Sequence, residues 1–349
     1  MSLDDPPGEA ARARRQLILR IGFAVALGLV MGEALEEPFS FLMPLLAFQL
    51  LMKMPHAPTL RQGMGFVLVV AIANGFALGL ANTLQDRPIV YLIVLGLIFF
   101  GCFLMQLKGR GGPLPGMLLT CNATVPVLAV VSRGLAENFV WVFVVSAVSA
   151  VPLAWLAHAM FPEDGTAVEG TAQEPQDEDV PAGTPVRTAL ACTIVLMPAV
   201  IHYLANDDEV SVVVLITIIG VLGQRTGMRQ RAALGLLLGN LIGGVVASLA
   251  YFAVVMVPWL PFLFLVTLAA ALSLSEGATR STPTAGVFAV AMPTFLILLG
   301  LGLTPITDGS GAAFVSRVID VALASLYALA GIVLLLPRRN VAREPSAVV

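Results

Sequence analysis

The sequence predicts an all-α membrane protein of about twelve transmembrane helices, arranged as two parallel six-helix repeats. Composition is the first reason. Of 349 residues, 58% are hydrophobic and 12% charged, against about 25% charged in soluble domains, and mean hydropathy is +0.92. So few polar residues do not cover a water-facing surface of this size. The second reason is an acidic, Pro/Gly-rich stretch, residues 162–186, that divides the apolar runs six and six. The third is the alternation of positive charge along the chain.

The elements follow in order. Residues 1–16 (MSLDDPPGEAARARRQ) are acidic, then basic, and read as a cytoplasmic N-terminal segment. The apolar run behind them lacks an A-x-A exit, so the first span is read as retained. A crossing helix needs about 20 mostly apolar residues. The first repeat, 17–161, offers runs at 17–35, 39–54, 63–83, 89–107, 114–132 and 139–161. Residues 162–186 then read as a flexible cytoplasmic linker, too polar to bury a core. The second repeat, 187–337, offers 187–205, 210–224, 231–256, 259–275, 284–304 and 313–336, and 338–349 reads as a cytoplasmic tail. The second and eighth runs are short and are candidates for incomplete crossings.

With the N-terminus inside, the inner segments hold Arg12, Arg14, Arg15, Arg20, Lys53, Arg61, Lys108, Arg110, Arg187, Arg225, Arg229, Arg231, Arg280, Arg338, Arg339 and Arg343. Of the 19 basic residues only Arg87, Arg133 and Arg317 fall outside. Both termini are therefore expected on the cytoplasmic side of the membrane. Glu36, Glu37, Asp207, Asp208 and Glu209 make the short outer loops acidic.

The halves look related. Arg61 and Gln62 align with Arg229 and Gln230, and Ala71, Gly75 and Gly79 with Gly239, Gly243 and Ala247. Such small-xxx-small ladders let helix backbones approach closely, so Gly75, Gly79, Gly239 and Gly243 are expected at helix contacts. In this register Asn74 and Asn240 each face an isoleucine; they are expected to hydrogen-bond between closely packed helices, with lining a pathway the alternative. Arg20 falls near Arg187, and Pro113-xx-Gly116 resembles Pro283-xx-Gly286. Six spans per half give the halves one orientation, a parallel repeat.

Candidate chemistry gathers in the fifth and eleventh spans. Pro126 and Pro293 occupy similar places there, and proline deprives a helix of a donor. Paired interruptions point to a transporter's substrate site. Thr120, Asn122, Thr124, Pro126, Pro293 and Thr294 are therefore pathway candidates, with Arg110 and Arg280 in the preceding Gly/Pro-rich loops as recruiters of an anion. Interhelical hydrogen bonding around ordinary kinks, and ordinary positive-inside topology, explain the same residues structurally. Asp320 is the most deeply placed acid, with Arg317 one turn away. Intramembrane acids are functional candidates, and Asp320 with Arg317 is a candidate proton-coupling pair or a simple i,i+3 ion pair. Arg20 is expected to snorkel to the headgroups.

Other chemistries lack their residues. Cys102, Cys121 and Cys192 lie singly in apolar runs, and His56, His158 and His202 are scattered, so no metal site is read. There is no phosphate-binding loop, no cofactor motif, and no basic excess for a nucleic-acid partner, the net charge being −3. A membrane enzyme would group His, Asp or Glu at one face, and no such group is present.

The six-span halves, the basic loop TLRQG or GMRQRAALG before a glycine-laddered third span, and the acidic linker together resemble the fusaric acid resistance and aromatic acid exporter superfamily of bacterial inner-membrane proteins. The likeness is to a compact branch, without the larger exporters' cytoplasmic domains. It implies proton-driven efflux of aromatic carboxylates or other small amphipathic compounds, with a periplasmic membrane-fusion adaptor as partner. An organic-anion channel and a non-transporting membrane assembly subunit are the alternatives. A major facilitator transporter would share the six-plus-six plan, but its Gly-x-x-x-Asp-Arg-type loop is replaced here by KMPHAPTLRQG.

Overall fold

The computed structural model describes residues 7–54, 56–162, 184–205, 212–223, 230–280, 282, 284–303 and 311–335. The linker (apart from its two ends), the C-terminal tail, Asp207, Asp208, Glu209, Arg225, Arg229 and Pro283 lie outside them. The described residues form twelve helices: α1 (Pro7–Ala34), α2 (Leu42–Lys53), α3 (Leu60–Leu84), α4 (Pro88–Leu107), α5 (Leu114–Val131), α6 (Arg133–Met160), α7 (Thr184–Ala205), α8 (Val212–Gly223), α9 (Gln230–Met256), α10 (Leu260–Ala278), α11 (Ala285–Leu303) and α12 (Gly311–Leu335). Ten of these are long and apolar enough to cross a membrane. Large apolar side chains such as Leu68, Ile72, Ile93, Leu97 and Leu265 point out of the bundle, as a lipid-facing surface requires. The protein is a polytopic helical membrane protein.

Two helices are shorter among the described residues. The helix α2 has 12 residues, about 18 Å at 1.5 Å per residue, against a hydrocarbon thickness of about 30 Å, and 12 residues of α8 are described. Burial explains how the first of them survives. Nine residues of α2 are buried, from Leu42 to Leu51, and the irregular Phe39, Ser40 and Phe41 leading into it are buried too. Non-helical backbone is tolerated at membrane depth when it is enclosed by protein. Glycine makes the enclosure possible: a Cβ on Gly32 would lie 2.9 Å from the Ser40 carbonyl oxygen, and one on Gly28 3.2 Å from Pro44 Cα. The two contacts run in opposite chain directions, so α2 returns antiparallel to α1.

Helix ends are fixed by local chemistry. Thr59 caps α3: its hydroxyl accepts from the Gln62 N–H, while the Gln62 side chain accepts from the Thr59 N–H at 2.9 Å. This reciprocal capping box satisfies donors that the first turn leaves open. The same stretch is held to α6 by Trp155, whose Nε1 donates to the Pro58 carbonyl at 2.7 Å. Between α4 and α5 the chain turns through Gly109, Gly111 and Gly112, all at positive φ, where a side chain would clash.

Two arginines, one buried and one half-buried, close the basic end of the bundle. Arg20 is only 3% exposed, and its Nε donates to the Phe161 carbonyl at the end of α6, 2.8 Å away. It does not snorkel to the headgroups; a helix C-terminus, with its surplus carbonyls and negative dipole end, holds it inside. Arg14 makes the analogous contact with α10, donating to the Glu276 carbonyl at 3.0 Å and the Thr279 hydroxyl at 3.2 Å.

Contacts between the first six and last six helices run chiefly through α1 against α10 and α4 against α7, with α8 packed on α5 and α2 on α11. Within each set, the third helix packs on the fifth and sixth, and the sixth on the second: α3 on α5 and α6, α2 on α6; α9 on α11 and α12, α8 on α12.

Candidate functional site

The two candidate spans remain continuous helices, α5 through Pro126 and α11 through Pro293, as do α6 through Pro152 and α7 through Pro198. The expected break is absent; neighbouring helices hold the chain helical across the missing donor. The prolines are not equivalent either. In the register that matches Gly116 with Gly286, Pro126 and Pro293 are three residues apart, and Pro126 is buried while Pro293 is half-buried. The same register pairs Thr124 with Thr294.

In α5, three of the sequence candidates cluster. Thr120 is half-buried and its hydroxyl donates to the Gly116 carbonyl at 3.1 Å. Asn122 is fully buried; its Nδ2 donates to the Leu118 carbonyl at 2.9 Å, but its Oδ1 has no partner. Thr124 is also fully buried, and its hydroxyl has no partner. Pro126 has no N–H to offer the Asn122 carbonyl four residues back, which adds another acceptor lacking its helical donor. On α3, packed against α5 and α6, Asn74 is fully buried with its Nδ2 on the Val70 carbonyl at 2.9 Å and its Oδ1 unpartnered. Unsatisfied polar groups at this depth are costly, and α3 and α5 carry three of them, Asn122 and Thr124 pointing to different faces of α5.

The matching groups in the second half are bonded to one another. Thr294 donates to Asn240 Oδ1 at 2.7 Å, and Asn240 Nδ2 donates to Ser325 Oγ at 2.6 Å. The chain of bonds joins α11, α9 and α12. Glycine brings the helices near enough: a Cβ on Gly239 would lie 2.5 Å from the Val287 carbonyl oxygen, and one on Gly243 2.5 Å from that of Ala291. Gly239 and Gly243 thus lie where α9 meets α11. Gly75 and Gly79 are exposed, with no described atom within 4 Å of a Cβ built there.

Burial offers another alignment of α3 with α9. Buried positions of α3 include Gly63, Phe66, Val70, Ala73, Asn74, Ala77 and Ala81; those of α9 include Leu236, Gly239, Asn240, Gly243, Gly244 and Ala247. Val70, Ala73, Asn74, Ala77 and Ala81 share their spacing with Leu236, Gly239, Asn240, Gly243 and Ala247, an alignment that pairs Asn74 with Asn240. The Arg61/Arg229 register is two residues away from this and turns the glycine ladder of α3 outward.

The remaining candidates disperse. Arg110 is exposed in its loop. Arg280 is exposed and ion-paired with Glu276 at 2.6 Å, so its charge is already answered. Asp320 is half-buried on α12, and its charge acts on Arg317, which donates to the Leu301 carbonyl at the end of α11 at 2.6 Å. Since α12 packs on α7, α8 and α9, this pair is remote from the α5 cluster. Sequence reading missed Ser325, and Glu33, a half-buried acid near the end of α1 that accepts a hydrogen bond from Ser40. Their signal was a polar residue within an apolar run. Cys102, Cys121 and Cys192 are free and buried.

A family described as a protein of unknown function (DUF2955) matches residues 17–157, the stretch that holds α1 to α6 and the unsatisfied polar groups. No curated protein and no solved structure matches the chain.

Proposed function

We propose that the protein is a membrane transporter for a small organic solute, built as two parallel six-helix repeats, with the buried polar groups of α3 and α5 as its polar site. The observation that carries this reading is the contrast between the halves. Asn240 and Thr294 bond each other, whereas Asn74, Asn122 and Thr124 each keep an unpartnered oxygen within a fully buried position. A scaffold gains nothing from such oxygens, while a transport site uses them on a passing solute, water or proton. The repeat is supported by the contact pattern. Nearly every helix pairing recurs when both members are advanced by six, α1 with α10 answering α7 with α4. The family match ends at the sixth helix, which also fits a six-helix unit.

The finer reading rests on the sequence resemblance. It is proton-driven efflux of small organic anions, aromatic carboxylates among them, across a bacterial inner membrane. Both termini are then cytoplasmic, a periplasmic membrane-fusion adaptor is the partner, and Asp320 with Arg317 couples the proton. Arg110 remains available to recruit an anion, being exposed at the head of α5.

Proteoliposomes of known protein orientation, loaded with radiolabelled benzoate and given an imposed pH gradient, test this. Gradient-driven efflux above protein-free vesicles is expected, cut at least tenfold in the Asn122→Leu variant. Asp320→Asn is expected to retain downhill flux and lose the gradient's effect. Efflux indifferent to the gradient would make the protein a channel, and no flux from correctly folded protein would end the transport reading.

A further inference from the structure

The halves meet along two outer edges, α1 against α10 and α4 against α7, and these edges are packed differently. Along α1–α10, Arg14 is bonded to the Glu276 carbonyl and the Thr279 hydroxyl. A Cβ on Gly22 would lie 2.6 Å from Leu272 Cδ2, and the Phe23 ring meets that of Phe264 edge-on, centroids 6.4 Å apart. From Phe264 to Thr279 these contacts follow about 22 Å of α10, at 1.5 Å per residue. On the same side of the bundle α2 meets α11 closely: a Cβ on Gly300 would lie 2.6 Å from Phe41 Cβ and 3.0 Å from its backbone nitrogen.

Along α4–α7 the approach is looser. A Cβ on Gly96 would lie 3.8 Å from Met197 Sδ, an ordinary contact with a side chain that adapts its shape. One turn farther out the two helices border a cleft of about 210 Å³, whose described walls include Leu92 of α4, Ile201 and Leu204 of α7, and Val130 of α5. In the register that matches Gly116 with Gly286, Val130 takes the place of Gly300, so a wall of the cleft stands where the other side is closed on Phe41. Packed interiors leave few spaces larger than a water molecule, and atoms that face a gap forgo their dispersion contacts. Fewer contacts are lost when α4 leaves α7 than when α1 leaves α10, so α4–α7 is the edge that opens at lower cost.

We propose that the two halves hinge along α1–α10 and part along α4–α7, which makes α4–α7 the opening edge of the working cycle. The purpose of this motion rests on the transport reading; the inequality of the edges does not.

Double electron–electron resonance on the full-length protein in lipid nanodiscs, with Cys102, Cys121 and Cys192 replaced by alanine, tests it. Nitroxides at Asn82→Cys and Val315→Cys, exposed on α3 and α12, straddle α4–α7; those at Arg133→Cys and Val255→Cys, exposed on α6 and α9, straddle α1–α10. The first pair should give a distance distribution about twofold broader than the second, or two resolved peaks. Bridging Gly96→Cys to Met197→Cys with a short bis-methanethiosulfonate should collapse it to one narrow peak, and reductant should restore it. Each variant is read only with wild-type thermal unfolding, and Thr83→Cys with Ile319→Cys, also exposed, replaces the first pair if it misfolds. Equal widths, or a broader second pair, would overturn the assignment of the edges. A first pair still broad after bridging would place the motion elsewhere and overturn it as well. In protein that transports benzoate the bridge should cut flux about tenfold; undiminished flux would overturn the part that α4–α7 plays in the cycle. Absence of flux from unbridged protein would instead count against the transport reading, while the distances still decide which edge parts.

Discussion

One residue type in one kind of motif should respond in opposite ways in the two halves. In Gly243→Ala the new methyl carbon would lie 2.5 Å from the Ala291 carbonyl oxygen and 2.8 Å from Thr294 Cβ. Non-bonded heavy atoms prefer about 3.5 Å or more, so α9 and α11 must part by roughly 1 Å. Overpacking of this kind costs about 1–3 kcal/mol. The same displacement would stretch the 2.7 Å bond from Thr294 to Asn240 beyond useful length, losing about 0.6 kcal/mol more by the average for interhelical hydrogen bonds in membranes. The total is about 2–4 kcal/mol. In Gly75→Ala the methyl meets no described atom within 4 Å, and helix propensity favours alanine by up to about 1 kcal/mol. Reversible unfolding of both variants, by steric trapping in bicelles, measures the difference directly. Equal losses would refute the orientation assigned to the α3 ladder. A Gly243→Ala stability within about 0.5 kcal/mol of wild type would refute the closeness of the α9–α11 seam.

Three further outcomes follow from the packing. Asn240→Leu removes two side-chain hydrogen bonds, but Ser325 and Thr294 keep their own-turn acceptors, the Val321 carbonyl at 2.7 Å and that of Val290 at 3.2 Å; the loss should therefore be limited to about 1–2 kcal/mol in the same unfolding assay. Gln62→Ala opens the capping box and should cost about 1 kcal/mol, seen as faster amide exchange confined to the first turn of α3. Cys102, Cys121 and Cys192, buried at 4%, 0% and 1% exposure, should resist a membrane-impermeant maleimide in intact protein and all label once SDS unfolds it; rapid labelling of Cys121 in the native state would mean that α5 is solvent-accessible.

The parts of the fold visible in the sequence were those set by solvent. Hydropathy marks each long span because lipid contact is a property of the whole run, and the ten long helices appear where the apolar runs are. Interior facing is set by neighbours, which the runs do not name. Arg20 shows the difference: its position near a helix start predicts snorkelling, but the end of α6 places a carbonyl 2.8 Å from it. The repeat register shows it again. Arg61 and Gln62 stand out against apolar sequence and drew the alignment to Arg229 and Gln230, yet Gln62 is conspicuous because it completes a cap, a matter of where a helix begins. Core packing follows Ala73, Asn74 and Ala77 instead, and alanine in an apolar run carries no contrast. The polar cluster on α5 was legible because Thr120, Asn122 and Thr124 sit among leucines and valines. That Asn74 joins their side of the bundle was not, since it depends on a two-residue shift between helices.

That shift leads to a test of whether the polar groups of α3 and α5 are kept for function. Thr124 Oγ1 makes no hydrogen bond, not even to the preceding turn of its own helix, and the residue is fully buried. Valine has nearly the same shape without the hydroxyl. Removing an unsatisfied buried hydroxyl recovers part of its desolvation cost, about 1–3 kcal/mol from mutational data; a water or relaxed rotamer reduces this, so Thr124→Val should stabilise the protein by about 1 kcal/mol. If these groups form a transport site, the same variant should slow benzoate flux several-fold, a trade of activity for stability. Measured together, the two readouts separate the possibilities. Greater stability with slower flux supports a site maintained at a cost. Lower stability would show that Thr124 has a structural partner, as Thr294 has in Asn240. Greater stability with unchanged flux would leave the hydroxyl outside the pathway and move the search to Asn122, whose carbonyl Pro126 deprives of its helical donor.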